Sequence, residues 1–448
     1  MRGLTTTILL VLVLAGLGAY IYFVESERPA GGVEARDKVF AVEADAIEEM
    51  TVTAKGETTT LRKADGVWTI TAPETADADA TEVSNLTTAL ANLEINRVLE
   101  ENASDLTPYG LSDPRIKVAF KAGSASGELH LGETTPTKGD MYAVKPGESR
   151  VFLVSAYQDT SLAKNTFDLR DKRVLHFDRD KIDTVEITQP GSPAVTLSRS
   201  ANEWFIKAPI AARGDYSAIE GLVTRLSTAS MTELVDPNSP ESFGLETPSA
   251  VVTIGTGSTR ATLELGAERD EALFARDRAR QIIFKVEPTL ATDLKKTVDD
   301  LRDKELFEFR TFNVLRLQVV RGADTYEFQK VEGGGEGGAD IWQRVVDGKP
   351  TDVDTTAMED LLSKLSALRA QSFNPTTNAA GQAQPALVVA ASYDGDKFER
   401  VRLITGKDQA FGVRDGEQGV AVLDVDSVNE TIKALDAVVN PAPAPPPS

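Results

Sequence analysis

Cysteine is missing from all 448 residues. Its absence excludes disulfides, a thiolate metal site, a thiol nucleophile and an acylated cysteine at a processed N-terminus. Histidine is nearly missing: His130 and His176 are the only two, and neither lies in a His-x-x-x-His or Glu-flanked pattern, so no metal site is expected from them. There is no Gly-x-Ser-x-Gly elbow and no Ser-x-x-Lys in a convincing setting, so a serine hydrolase is not supported. Excess positive charge is missing too. The formal net charge of −21 argues against a nucleic-acid binder and against a module held to anionic lipid by charge. A disulfide-free chain fits the cytoplasm, and it also fits a bacterial envelope protein whose domains are large enough to need no staples.

What is present begins with one long apolar run. Leu4 to Val24 carries no charge, and as a helix it would span about 31 Å, the thickness of a bilayer core. Tyr20 and Tyr22 lie near its far end, where amphipathic aromatics favour the interface. Arg2 precedes the run while Glu25 and Glu27 follow it, which places the N-terminus in the cytoplasm. The expectation is a single-pass bacterial inner-membrane protein, residues 1–24 forming the cytoplasmic tip and transmembrane anchor, with the bulk of the chain periplasmic or extracytoplasmic. A cleaved signal peptide is the alternative, but the run is longer than a usual signal core and no clear small-x-small site follows. Residues 25–38, with Pro29, Gly31 and Gly32, read as a linker.

The rest of the chain repeats. Asp168-Leu169-Arg170-Asp171-Lys172 returns unchanged as Asp300-Leu301-Arg302-Asp303-Lys304. The only three tryptophans, Trp68, Trp204 and Trp342, recur at near-constant spacing. Asp79 stands eleven residues after Trp68, and Asp215 eleven after Trp204, each where a helix N-cap belongs, with Val83, Leu86 and Leu90 or Ile219, Leu222 and Leu226 following at helical spacing. Tyr109-Gly110-Leu111-Ser112-Asp113-Pro114 matches Phe243-Gly244-Leu245-Glu246-Thr247-Pro248. Strands are predicted over Ile116–Phe120, Glu128–Leu131, Met141–Val144 and Val151–Val154, with a helix from Tyr157 to Leu169 closing the unit. The third copy has Asp352 or Asp354 as cap and lacks both the aromatic-Gly-Leu turn and the pentapeptide.

The predicted fold class is therefore α+β: an N-terminal transmembrane helix followed by about three tandem β-β-α-β-β-β-β-α modules with largely antiparallel sheets. The modules are placed at 39–174, 175–306 and 307–439, the last divergent, before a disordered Pro/Ala tail at 440–448.

No residue constellation announces catalysis, and no cofactor or metal is expected. The pentapeptide reads as structural, its leucines packing and its charges capping a helix or linking modules. Gly333 to Gly338 reads as a hairpin loop, because neither it nor Gly348-Lys349-Pro350-Thr351 has phosphate-loop spacing. Asp77-Ala78-Asp79 and Asp424-Val425-Asp426 lack the glycine and distal glutamate of a calcium loop and are assigned to helix capping. The tryptophans are expected in the core. Lys145, Arg276 and Arg414 follow an aromatic in the third late strand of each unit and form a candidate basic stripe for an acidic partner, with a solvated strand edge as the alternative.

The tandem units, the tryptophan before a capped helix, the aromatic-Gly-Leu-x-x-Pro turn and the Asp-Leu-Arg-Asp-Lys close resemble the bacterial family named domain of unknown function 4340, over roughly Phe40 to Val439. The resemblance implies an extracytoplasmic accessory component working with ABC transporter membrane subunits, similar to gliding-motility systems, or with an auxiliary envelope protein. Energy would be supplied elsewhere, since the chain has no nucleotide site. The family brings no catalytic residues to carry over, so a non-enzymatic binding or assembly role is expected. A periplasmic enzyme acting on an envelope polymer and a structural spacer are the alternatives.

Overall fold

The computed structural model describes residues 36–238, 243–374 and 383–441. They fall into two compact units, which divide between Lys172 and Arg173. The first unit holds one module; the second holds two. The expected membrane helix and most of the expected tail lie outside the described residues. Among the described residues, no helix is long and apolar enough to cross a membrane.

Module 1 is a nine-stranded antiparallel sheet with helices on one face. Its elements are β1 (Glu49–Ala54), β2 (Glu57–Ala64), β3 (Val67–Ala72), β4 (Ala76–Asp77), α1 (Ala80–Ala91), β5 (Arg97–Glu100), β6 (Ile116–Ala122), β7 (Ala125–Thr134), β8 (Asp140–Val144), β9 (Val151–Ser155), α2 (Asp159–Leu162) and α3 (Thr166–Leu169). The strand order is β4-β3-β2-β1-β6-β7-β8-β9-β5, and both other modules repeat it. Period-two burial along β1, with Met50, Val52 and Ala54 inward, places one face of the sheet against Val83, Leu86 and Leu90 of α1. Asp79 caps α1, its side chain accepting from the N–H groups of Thr81 and Glu82.

The observed order is richer than the predicted β-β-α-β-β-β-β-α. Three strands and a two-residue edge strand precede the helix, and another short strand follows it. A two-residue strand has no periodicity to read. The predicted helix from Tyr157 to Leu169 is also broken, because Asn165 restarts the chain in a capping box with Asp168. Thr297 and Asp300 repeat that box in module 2, between Thr289–Leu294 and Val298–Leu301. In module 3 the cap is Asp354, which accepts from Thr356 and Ala357, and one continuous helix, Val425–Val439, takes the place of the broken pair.

The pentapeptide closes the sheet edge. Leu169 and Leu301 are fully buried, and their carbonyls accept from the N–H of the helix caps Asp79 and Asp215. The N–H groups of Asp171 and Asp303 donate in turn to the carbonyls of Asp77 and Arg213. Each copy is thus a short extra strand on an otherwise open edge.

The aromatic-Gly-Leu turn has an equally local cause. The Tyr109 carbonyl lies 2.1 Å from where a Cβ on Gly132 would stand, and the Phe243 carbonyl 2.2 Å from one on Gly266. Only glycine admits the turn there. The strand register makes Ile404 the equivalent residue in module 3, where it is buried beside Val413 and Val420 and fills that space with its own side chain.

Candidate functional site at the junction of modules 2 and 3

Charged side chains converge within the second unit, where the edge strand Ala212–Arg213 of module 2 meets the hairpin after Ala410–Arg414 of module 3. The Arg213 guanidinium donates from Nε to Glu417 at 2.7 Å, pairs through Nη1 with Asp303 at 3.0 Å and Glu308 at 3.1 Å, and reaches the Glu305 carbonyl. Arg302 donates to the other Glu417 oxygen at 2.9 Å and lies 4.1 Å over the Phe373 ring. Backbone bonds fasten the same seam: Gln418 N–H donates to the Ala211 carbonyl, and the Gln418 side chain accepts from Ala211 N–H. A cleft of about 550 Å³ opens beside the cluster, lined by Tyr216, Asp303, Glu305 and Tyr393 among others.

The environment sets the protonation of each group. Burial opposes the charge on Arg213, but Glu417, Asp303 and Glu308 outweigh it and hold its pKa above the ordinary value. Burial raises Glu308 as well, yet Arg213, Arg414 and the Tyr393 hydroxyl, which donates at 2.8 Å, leave it below the usual carboxylate range. Asp303 goes the other way. Burial pushes it up, with Glu305 and Asp215 adding repulsion that Arg213 does not overcome. Tyr393 is raised by burial and by its bond to Glu308.

The three sequence-predicted basic residues are not equivalent. Matching the paired strands makes Lys145, Asp277 and Arg414 counterparts, while Arg276 corresponds to Val144 and Val413 on the opposite face. A one-residue slip in a strand reverses the face, so the three do not form one in-register stripe. Each counterpart braces the segment entering its own module. Lys145 Nζ lies 5.0 Å over Phe40. Asp277 holds Arg280, whose guanidinium reaches the carbonyls of Arg173 and Val174. Arg414 donates to the Leu306 carbonyl at 3.1 Å and pairs with Glu399 and Glu308. Arg276 instead joins Arg278 on Glu264, which is held below its ordinary pKa because those arginines outweigh its burial.

Other candidates resolve structurally. Trp204 and Trp342 are buried and Trp68 packs at the core margin. His130 Nε2 lies within hydrogen-bond distance of Glu128 Oε1, at 2.7 Å. The glycine run forms the turn between Val331 and Ile341, with Gly335 N–H donating to Ala339. Asp424 caps the last helix through Ser427. Among the described residues, no group of three or more His, Asp and Glu is placed to hold a metal ion.

The junction itself was missed in the sequence. Its partners Arg213 and Glu417 stand 204 residues apart. The only local signal was the repeated pentapeptide, which supplies Arg302 and Asp303.

Comparison with known proteins agrees with the repeat. The family model described as "Domain of unknown function (DUF4340)" matches residues 68–241 and again 204–386, together more than half of the chain. The chain belongs to the DUF4340 family. Its two matches begin at Trp68 and Trp204, the equivalent tryptophans of modules 1 and 2, consistent with tandem copies of one unit. No curated protein matches the sequence. Among solved structures, a DNA polymerase sliding clamp from Pseudomonas aeruginosa is similar at 8% identity, covering 87% of this chain and 93% of that one with a TM-score of 0.17. A putative DNA polymerase III beta subunit from Eubacterium rectale gives 7%, 87%, 93% and 0.16. Superpositions this poor establish neither a shared fold nor a shared role.

Proposed function

We propose that this DUF4340 member is a non-enzymatic binding and assembly protein of the bacterial envelope. Residues 4–24 anchor it in the inner membrane, the modules stand outside the cytoplasm, and it serves as an accessory component of an ABC transporter similar to gliding-motility systems. One observation carries the non-catalytic part. The charge cluster around Arg213 is engaged in fastening module 2 to module 3, with both Glu417 oxygens and both Glu308 oxygens already bonded. Such a seam suits a stiff scaffold that presents surfaces to a partner. Crosslinking in intact cells from the exported modules, then mild-detergent purification and mass spectrometry, tests the reading. Recovery of an ABC permease and ATPase supports it, and recovery of envelope polymer alone overturns it.

The reading as an envelope-polymer enzyme has one observation in its favour: Asp303 and Glu308 border one cleft and have pKa values displaced in opposite directions. Against it, Asp303 is held by Arg213 and by the Glu305 N–H, and Glu308 by Arg213, Arg414 and Tyr393, so neither carboxylate of the pair is free to act on a substrate. Asp303→Asn and Glu308→Gln should leave any polymer-degrading activity of purified full-length chain unchanged.

A further inference from the structure

The helix-free face of the module 3 sheet differs from its two counterparts in how its charges are matched. On the strand Lys397–Thr405, Phe398, Arg400 and Arg402 alternate with buried Glu399, Val401 and Leu403, so they point away from the helices. Arg316 joins them across the ladder Arg316–Ser392–Phe398. All three arginines are exposed, and none forms an ion pair among the described residues. Phe398 is 65% exposed, and a groove of about 390 Å³ runs beside it and Arg316. Two carboxylates lie near. Glu327 is engaged by the Gln318 amide at 3.0 Å, and Asp415, whose N–H donates to the Arg400 carbonyl, makes no ion pair with Arg400 among the described residues.

The other modules show what balanced charge looks like at the same positions. Strand matching makes Glu128 and His130 the counterparts of Arg400 and Arg402 in module 1, and those two bond each other. In module 2 the counterparts are Thr262 and Glu264, and Glu264 is clamped by Arg276 and Arg278. Modules 1 and 2 satisfy this part of the face internally. Module 3 leaves guanidinium groups unpaired beside an uncovered phenyl ring.

We infer that this face docks an acidic segment of a partner protein, carboxylates meeting Arg400 and Arg402 and an apolar side chain lying against Phe398. This deepens the binding role proposed above and rests on it. Guanidinium groups match carboxylates with two parallel bonds, and residues two apart on a strand present them roughly 6.7 Å apart, within reach of carboxylates on alternate residues of an extended segment. A phosphate polymer would leave Phe398 without a partner. An anionic bilayer would be repelled by a chain of net charge −21.

The test uses full-length chain in detergent micelles and a labelled peptide carrying one leucine and two glutamates at successive alternate positions with serine between them, so that all three face the same side when extended, followed by fluorescence anisotropy. Binding should weaken at least tenfold in Arg400→Glu/Arg402→Glu, two- to fivefold in Arg400→Lys/Arg402→Lys, and less than twofold in Lys117→Glu on the module 1 face. Circular dichroism should show all variants folded. No peptide binding, equal loss in the Lys117 variant, or preference for polyphosphate or phosphatidylglycerol vesicles overturns the inference. In cells, a photocrosslinking amino acid at position 398 separates the two proposals. An adduct mapped to an acidic segment of an ABC permease supports both, and one mapped to an acidic segment of another protein supports the face alone. No adduct, in cells where general crosslinking still recovers the permease, rejects the face alone.

Discussion

The edge strands of modules 2 and 3 share a register and meet opposite fates. In module 2, Ala211 and Arg213 turn their outward groups to the neighbouring module and to the pentapeptide, and both are bonded. In module 3 the matching residues are Pro350 and Asp352, on a strand exposed along its whole length. Val353 N–H still donates to the Trp342 carbonyl, as Gly214 does to Trp204, so the register is intact. The side chains at the matching positions have changed, and the module 3 strand is four residues long rather than two. Proline at the Ala211 position removes the outward donor, and Lys349 beside it adds charge, the usual protection of a free sheet edge. Repetition of a fold is thus a backbone property, while continuation of a stack is a side-chain property.

That contrast can be broken most forcefully at Arg213. Arg213→Ala removes the buried cation that Glu417 and Glu308 share and should cost about 3–5 kcal/mol, splitting one unfolding transition into two when Trp204 and Trp342 fluorescence report on their modules. Leu301→Ala should cost about 2–5 kcal/mol by leaving a cavity under the closing strand, and urea titration should show the loss first in module 2.

Acid sharpens the comparison next. Glu308, with a lowered folded pKa, contributes stability that is complete above its ordinary value near 4.5 and fades as pH falls through the folded value. Asp303, with a raised one, contributes the opposite: its share is complete below 3.8 and lost as pH rises through its folded value. Glu308→Gln should therefore flatten the acid limb of a stability–pH curve, whereas Asp303→Asn should steepen it. The smallest change in fold stability is expected for Pro350→Ala, within about 0.5 kcal/mol, as for an exposed position. Its readout is association, with light scattering showing more self-pairing than the parent chain once the outward donor is restored.

Much of the repeat was legible because it rests on local rules. Asp79 and Asp215 sit at caps, Leu86 and Leu222 at buried helical positions, and Trp204 in the core, each recognisable from a few neighbours. Two kinds of feature were not. Strands of two residues, such as Ala76–Asp77, are too short to show alternation. Register and long-range pairing were hidden as well. Arg276 follows an aromatic just as Lys145 and Arg414 nearly do, and only the ladder reveals that it faces the other way. The identity of the pentapeptide in two copies reflects one job done twice.

That job has a consequence for how such chains grow and shrink. Asp300 to Lys304 closes the edge of module 2 through Leu301 and Asp303, while the Lys304 carbonyl accepts from Ala370 N–H of module 3. The five residues belong to both. No single breakpoint between these modules leaves each whole, so a gene that gains or loses a copy by recombination must do so out of phase with the sheets, exchanging from within one module to the same point in the next.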